Sequence, residues 1–336
     1  MKIKPLLKQE IIDTIEGKNP SRVPSLFNIW PPPIYKLRNL IRCLRALKKY
    51  PSDISVYYSF SYVKTSIHGN NVIIFDKKKG KGALDSSIEL PDYADLDKFL
   101  DSKFKDPNKM LFQPVMKSKK YRLGIFWNCL FENLWQIRGM ENALMDVYLY
   151  PDEVHKIFRK ITDFYKVLIV RAKKEAKCDG FFVSDDLGHQ TSTFFSVEIF
   201  KEFFYPYYKE LIDLAHENGM HFWLHTCGNI ENYLPLYVEL GLDVIHPIQK
   251  YTMDEVKIFE QYKNKITFLY GFDVQQTIPY GSAQDVRDEV HRAYDIFSKA
   301  NGRFLFTQGN AISTNCPIES FEALVSESKF YNPYKK

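Results

Sequence analysis

Short apolar runs that stop on polar residues alternate along this chain with longer stretches whose apolar positions recur every third or fourth residue. The runs read as buried strands and the stretches as amphipathic helices. Arg22–Trp30 is the first run, helical patterning follows from Tyr35 to Tyr50, and Asp53–Tyr58 is a second strand. Asn71–Asp76, set among Gly and Lys, reads as part of a hairpin excursion, and Leu123–Asn128 as the next strand. From 152 to 177 the residues Val154, Ile157, Phe158, Ile161, Phe164, Tyr165, Leu168 and Ile169 fall on one helical face. Gly180–Ser184 is a strand running into Asp185 and Asp186. The pattern then predicts a helix from about Ser196 to Asn218, stopped at Gly219. Beyond it come the strand Met220–His225, a helix across Ile230–Leu240, and the strand Leu242–Pro247. Another helix leads to the strand Ile266–Gly271, a helix spans Ala283–Ala300, and the strand Arg303–Gly309 and a helix over Ile318–Lys329 close the pattern.

Repeated strand–helix units predict a parallel sheet covered by helices. About eight such units fit the 336 residues, which favours an α/β fold of the closed (β/α)8 TIM-barrel kind over an open doubly wound sheet. The expected organisation is a single domain over 1–336, with N-terminal helical and hairpin excursions at about 35–120. No Gly-x-Gly-x-x-Gly follows a strand and no Walker A sequence occurs, so neither nucleotide signature is available.

Composition adjusts this picture in three places. The chain is 45% hydrophobic, ample for a large core, and its net charge of +5 is modest. The basic clusters Lys77–Lys79 and Lys117–Lys120 sit in loop-like segments, where solvated charge is expected and no nucleic-acid partner. The cysteines Cys43, Cys129, Cys178, Cys227 and Cys316 are odd in number and widely spaced, which points to reduced thiols and a cytoplasmic location. No run of about 18 apolar residues predicts a membrane span. The 26 Phe, 22 Tyr and 4 Trp mostly build core. Trp30, Trp127, Trp135 and Trp223 either join it or line a pocket for a flat or apolar ligand.

In such a barrel, chemistry sits at the C-terminal ends of the strands. Those ends carry Asn28, Asn128, Asp185, Asp186, His225, Cys227, His246, Gln249, Asp273 and Asn310. Alternate strand residues face the same way, so His225 and Cys227 point into one pocket, and imidazole with thiolate suits zinc. Asp185 and Asp186 are candidates for a general acid or a polar substrate contact, with helix capping as the other role. His246 is a candidate ligand or substrate donor, or a satisfied pocket histidine. Asp273 is placed to fix a pocket histidine's tautomer. Glu132 and Asn128 fall where the pocket wall is expected.

The runs Ser184-Asp185-Asp186-Leu187-Gly188, His225-Thr226-Cys227-Gly228-Asn229, Gly241 to Gln249, Gly271 to Gln275 and the entry Gly17 to Pro24 resemble the uroporphyrinogen decarboxylase superfamily. The resemblance runs along essentially the whole chain. It implies the barrel and either of two chemistries: metal-free decarboxylation of a porphyrinogen, or methyl transfer involving a corrinoid. The decarboxylase branch carries arginines in its N-terminal loop to bind the substrate's carboxylates, whereas no arginine stands between Arg22 and Arg38 here. The methyltransferase branch implies zinc on His225, Cys227 and a later cysteine. Asn310 falls near the usual position of that cysteine, and Cys316 is the candidate third ligand, or an ordinary residue before a helix-starting proline. Asn28, Trp30, Asn128, Gln249 and Asn310 are then the candidate substrate contacts. With no Asp-x-His-x-x-Gly sequence, the corrinoid has to arrive on a partner protein. The expected activity is methyl transfer between that corrinoid and a small methylated substrate or thiol. The alternatives are a carboxy-lyase acting on a tetrapyrrole or smaller acid, or a barrel that binds such a partner without turnover.

Overall fold

The computed structural model describes residues 3–27, 37–61, 88–112, 118–309 and 316–335. In chain order it opens with α1 (Lys8–Ile15), β1 (Ser25–Leu26), α2 (Leu37–Lys49) and β2 (Ile54–Ser61). Then come α3 (Leu96–Lys103), β3 (Met110–Phe112), β4 (Tyr121–Phe126), α4 (Leu130–Arg138), α5 (Met140–Leu149) and α6 (Pro151–Lys174). Next are β5 (Gly180–Ser184), α7 (Val197–Ile199), α8 (Tyr205–Glu217), β6 (His221–His225), α9 (Leu234–Leu240) and β7 (Val244–His246). The last elements are α10 (Glu255–Tyr262), β8 (Thr267–Gly271), α11 (Thr277–Tyr280), α12 (Ala283–Phe297), β9 (Phe304–Thr307) and α13 (Ile318–Phe330). The predicted alternation of strand and helix is present from β4 onward. The expected hairpin arm at 71–76 lies outside the described residues.

The chain divides into two compact units, one of Met1–Ser55, Lys117–Arg122 and Asp243–Lys336, the other of Val56–Met116 and Leu123–Leu242. In the first, β7, β8, β9 and β1 pair in parallel in that order. A buried charge cluster ties its ends together. The Asp53 carboxylate accepts from Leu6 N at 2.9 Å, Ser25 N at 2.9 Å, Arg22 Nη1 at 2.8 Å and Lys329 Nζ at 2.7 Å. Asp53 and Lys329 both have fully buried side chains. Burial works to raise Asp53, but Lys329 and Arg22 bring it down to about 2, while burial pushes Lys329 down to about 8.

In the second unit β4, β5 and β6 pair in parallel, and β2 pairs with β3 antiparallel. The register sets Ile125 beside Phe182 and Phe182 beside Trp223. Because side chains alternate, these three share one face of the sheet, and Ser184 with its partner His225 extends the same face. Phe181 is on the other face, stacked on Phe126 at 4.2 Å and edge-on to Tyr165 of α6. Helix α6 is the long helix that the apolar periodicity predicts. Pro151 begins it, Asp152 and Glu153 occupy its first turn, and Arg171, Lys173 and Lys174 its last, each charge matching the helix dipole.

The helix predicted from 196 to 218 is interrupted. Between α7 and α8 the residues Phe200–Phe204 form a π-turn, and Tyr205 N–H donates to Phe200 O. The cause is Pro206, which has no N–H and whose ring would collide with the carbonyl four residues back in a regular helix. The wider turn accommodates it. Beyond the turn, the hydroxyl of Tyr208 in α8 bonds to Asp185.

Candidate functional site

Strand β5 ends at Ser184 and β6 at His225, and the two residues are paired. The chains beyond stay in step, with Asp185 N–H donating to His225 O at 2.8 Å and Leu187 N–H to Thr226 Oγ1 at 3.1 Å. Gly228, at φ 83°, allows the next approach: a Cβ there would sit 2.2 Å from the Gly188 carbonyl. Only glycine lets these two backbones touch.

This crossing brings three donors together. Cys227 Sγ lies 3.3 Å from His225 Nε2, and His225 Nε2 lies 3.4 Å from Asp186 Oδ1. Asp186 Oδ1 also accepts the Cys227 N–H at 2.7 Å. A carboxylate oxygen, an imidazole nitrogen and a sulfur thus lie within 4.8 Å of one another. His225 is buried, while Asp186 and Cys227 are half-buried. Burial alone would lower His225, yet Cys227 and Asp186 hold it well above its usual range. Burial works to raise Asp186, but His225 and the Cys227 amide hold it below the usual carboxylate range.

Glu132 joins this cluster from α4. Its Oε1 accepts from Ser184 Oγ–H and from Asp186 N–H at 3.2 Å. Burial, then the neighbouring Asp186 and Asp185, push it up to about 8. Asp185 points elsewhere. It is fully buried, accepts the N–H groups of Leu130 at 3.0 Å and Glu132 at 2.8 Å, and takes the Tyr208 hydroxyl. Burial raises it to about 7 against those bonds. Asn128 occupies the turn before α4 at φ 52°, and its carbonyl accepts the Tyr165 hydroxyl at 2.8 Å.

The remaining candidates belong to the first unit. His246 ends β7 and is buried. Gln249 and Asp273 line a small cavity of about 60 Å³ with Pro247, Lys250 and Gly309. The oxygens of Asp273 accept from the amides of Gln275 and Gln276 at 3.0 Å and Thr277 at 3.1 Å, and from Tyr251 Oη at 2.9 Å. Burial opposes its charge, but these bonds hold it below the usual carboxylate range. Cys316 is buried before α13, its thiol donating to Pro317 O at 3.4 Å, and burial pushes it up to about 12. Among the described residues the group fit to hold a metal is Asp186, His225 and Cys227, without Cys316. Asn28, Trp30 and Asn310 lie outside the described residues.

Sequence reasoning placed His225 and Cys227 together through strand periodicity. It missed Ser184 and Tyr208. Ser184 has a signal, its strand-end position on the His225 face, whereas Tyr208 has none local to it.

The donor set suits zinc: one oxygen, one nitrogen and one sulfur ligand, three protein ligands as catalytic zinc sites have. The Cys227 amide bonds the Asp186 carboxylate, and Glu132, itself held by the Ser184 hydroxyl, takes the Asp186 amide, as supporting groups do at such sites.

The uroporphyrinogen decarboxylase (URO-D) family model matches residues 127–331. A methyltransferase from Methanosarcina mazei superposes with a TM-score of 0.63 at 13% identity, over 97% of this chain and 98% of that one. An endo-β-1,4-xylanase from Gloeophyllum trabeum superposes less well, with a TM-score of 0.40 at 9% identity over 62% of this chain and 75% of its own. No curated protein matches by sequence. The fold is the (β/α)8 barrel that the strand–helix pattern predicts.

Proposed function

Because the chain belongs to the uroporphyrinogen decarboxylase (URO-D) family, we propose that it is a methyltransferase of that family. It moves a methyl group between a small methylated substrate or thiol and the corrinoid of a partner protein, in the cytoplasm, with zinc held by Asp186, His225 and Cys227. The observation that carries this reading is the convergence of those three donors at the ends of β5 and β6. The structural likeness to a methyltransferase is in keeping with it. No helix among the described residues is long and apolar enough to cross a membrane.

Zinc bound there supplies Lewis acidity, which keeps a substrate thiol ionised or polarises a leaving group. The chain's own groups do the rest. His225 and Cys227 would hold the ion through imidazole nitrogen and sulfur, so uptake would depend on pH. Asp186 keeps its charge and orients the Cys227 amide. Glu132, pushed up to about 8, carries a proton at neutral pH and is an acid or base that takes the Asp186 amide. Phe182 and Trp223, whose rings are 6.2 Å apart, form an apolar floor on the His225 face of the sheet.

Decarboxylation of a porphyrinogen fits less well. Eight carboxylates need cationic partners, and no arginine stands between Arg22 and Arg38, where that branch carries them. Two experiments decide between the readings. Protein purified without chelator is expected to carry about one zinc and to methylate a thiol from methylcobalamin, with both lost in His225→Ala and Cys227→Ala. Zinc below about a tenth of an equivalent, with none taken up on addition, overturns the zinc assignment. Release of carbon dioxide from uroporphyrinogen without methyl transfer overturns the methyltransferase.

A further inference from the structure

We propose that Asp185 is a positioning residue that holds the Asp186–His225–Cys227 group in place through the first turn of α4, and does not itself act on substrate. The proposal rests on the metal reading above.

Helix α4 has no cap of its own, because its N-cap residue Cys129 makes no side-chain cap bond. Asp185, from the end of β5, supplies one. Its Oδ2 accepts Leu130 N–H and the Tyr208 hydroxyl, and its Oδ1 accepts Glu132 N–H. A carboxylate at a helix N-terminus meets unpaired amides and the positive end of the dipole, which offsets the cost of burying it. Cys129 N–H donates to Ser184 O at 2.7 Å, so the turn is pinned to β5 by backbone as well.

Pinning this turn decides where Glu132 stands. Its carboxyl turns back onto β5 and takes the Ser184 hydroxyl and the Asp186 amide. Asp186 then meets Cys227 N–H and His225 Nε2. The sequence of contacts runs from Tyr208 and Asp185, through the α4 turn and Glu132, to the ligand group. Just past the end of β5 the two aspartates turn opposite ways, Asp185 to the α4 amides and Asp186 to the site. A pair of accepting oxygens suits this place, since Leu130 N–H, Glu132 N–H and the Tyr208 hydroxyl all donate to it. An asparagine would present N–H groups to a backbone N–H or to the Tyr208 hydroxyl, and at least one bond would be lost.

The test uses the full chain with Co(II) as the probe, in Asp185→Asn and in the milder Tyr208→Phe. Asp185→Asn is expected to weaken Co(II) binding about 10–100-fold, the range for groups that orient ligands, and to shift the cobalt d–d bands. Tyr208→Phe is expected to shift them in the same direction with a smaller loss of affinity. A second readout needs no metal. Cys227 is the one cysteine of the five that is not buried, so its alkylation rate in metal-free protein reports its setting. That rate is expected to change at least about threefold in both variants. Unchanged cobalt affinity, spectrum and alkylation rate, with only the melting temperature lowered, overturns the positioning role. If wild-type protein takes up no Co(II), the metal reading fails and the alkylation rates decide the positioning role by themselves. If Asp185→Asn does not fold, Tyr208→Phe gives the answer.

Discussion

Asp186 accepts the backbone N–H of Cys227 at 2.7 Å, so the carboxylate on one strand end is tied to the residue that carries the thiol on the next. Asp186→Asn keeps an oxygen for that bond and removes the charge. Zinc affinity, measured by competition with a chelator, is expected to fall at least about tenfold. Equal affinity in variant and wild type would remove Asp186 from the shell.

Cys316 separates the two candidate third ligands. Its thiol is buried, pushed up to about 12, and engaged with Pro317 O. Cys316→Ala is expected to retain about one zinc, and to lose stability only through the small void it leaves, about 1 kcal/mol. Loss of the metal in this variant, with Asp186→Asn unaffected, would assign the third position to Cys316.

The crossing of the two loops predicts unequal costs at two glycines that share a left-handed backbone. At Gly228 (φ 83°) an added Cβ meets the Gly188 carbonyl at 2.2 Å, whereas at Gly219 (φ 63°) the nearest atom is the Lys173 Nζ at 3.8 Å. Gly219→Ala should cost about 1 kcal/mol in urea unfolding, the backbone penalty alone. Gly228→Ala should cost more, about 3 kcal/mol, and reduce metal uptake. Equal costs would contradict the close approach.

Asp53 sets an acid limit on stability. Its folded value of about 2 lies below the ordinary 3.8, so its contribution is present above pH 4 and is lost as pH falls from about 4 to 2. The linkage is worth about 2 kcal/mol. Lys329, depressed to about 8, binds fewer protons folded than unfolded between about 8 and 10.5, so its linkage adds stability as pH rises through that window. Asp53→Asn leaves Lys329 buried without its counter-charge and should cost about 3–5 kcal/mol at pH 7. The gap between variant and wild type should narrow toward pH 2.5 in denaturant titrations. A gap independent of pH would rule out the ionised pair.

Most of the second half was legible because each element carries its own signal. Gly180–Ser184 is a strand with the predicted bounds, and α6 buries Val154, Ile157, Phe158, Ile161, Tyr165, Leu168 and Ile169 of the predicted face, with Phe164 at its edge half-buried against Phe104. Helices α4 and α5 were not legible. Gly139 at φ 81° breaks them apart, and the cap of α4 comes from Asp185, on another strand. The π-turn was hidden for a related reason: Pro206 is visible in the sequence, but whether a helix breaks or widens around proline depends on what packs beyond it.

Strand alternation by itself determined that His225 and Cys227 share a side, and the sequence left Asp185 and Asp186 with the same two roles, acid or substrate contact and helix cap. It did not determine which aspartate faces the ligands. Tertiary structure decided that, because the groups that claim Asp185, the amides of Leu130 and Glu132 and the hydroxyl of Tyr208, lie far away in sequence and reach it only when α4 and α8 pack against β5. Once those donors occupy one side of the strand end, Asp186 turns to the other, where His225 and Cys227 already stand.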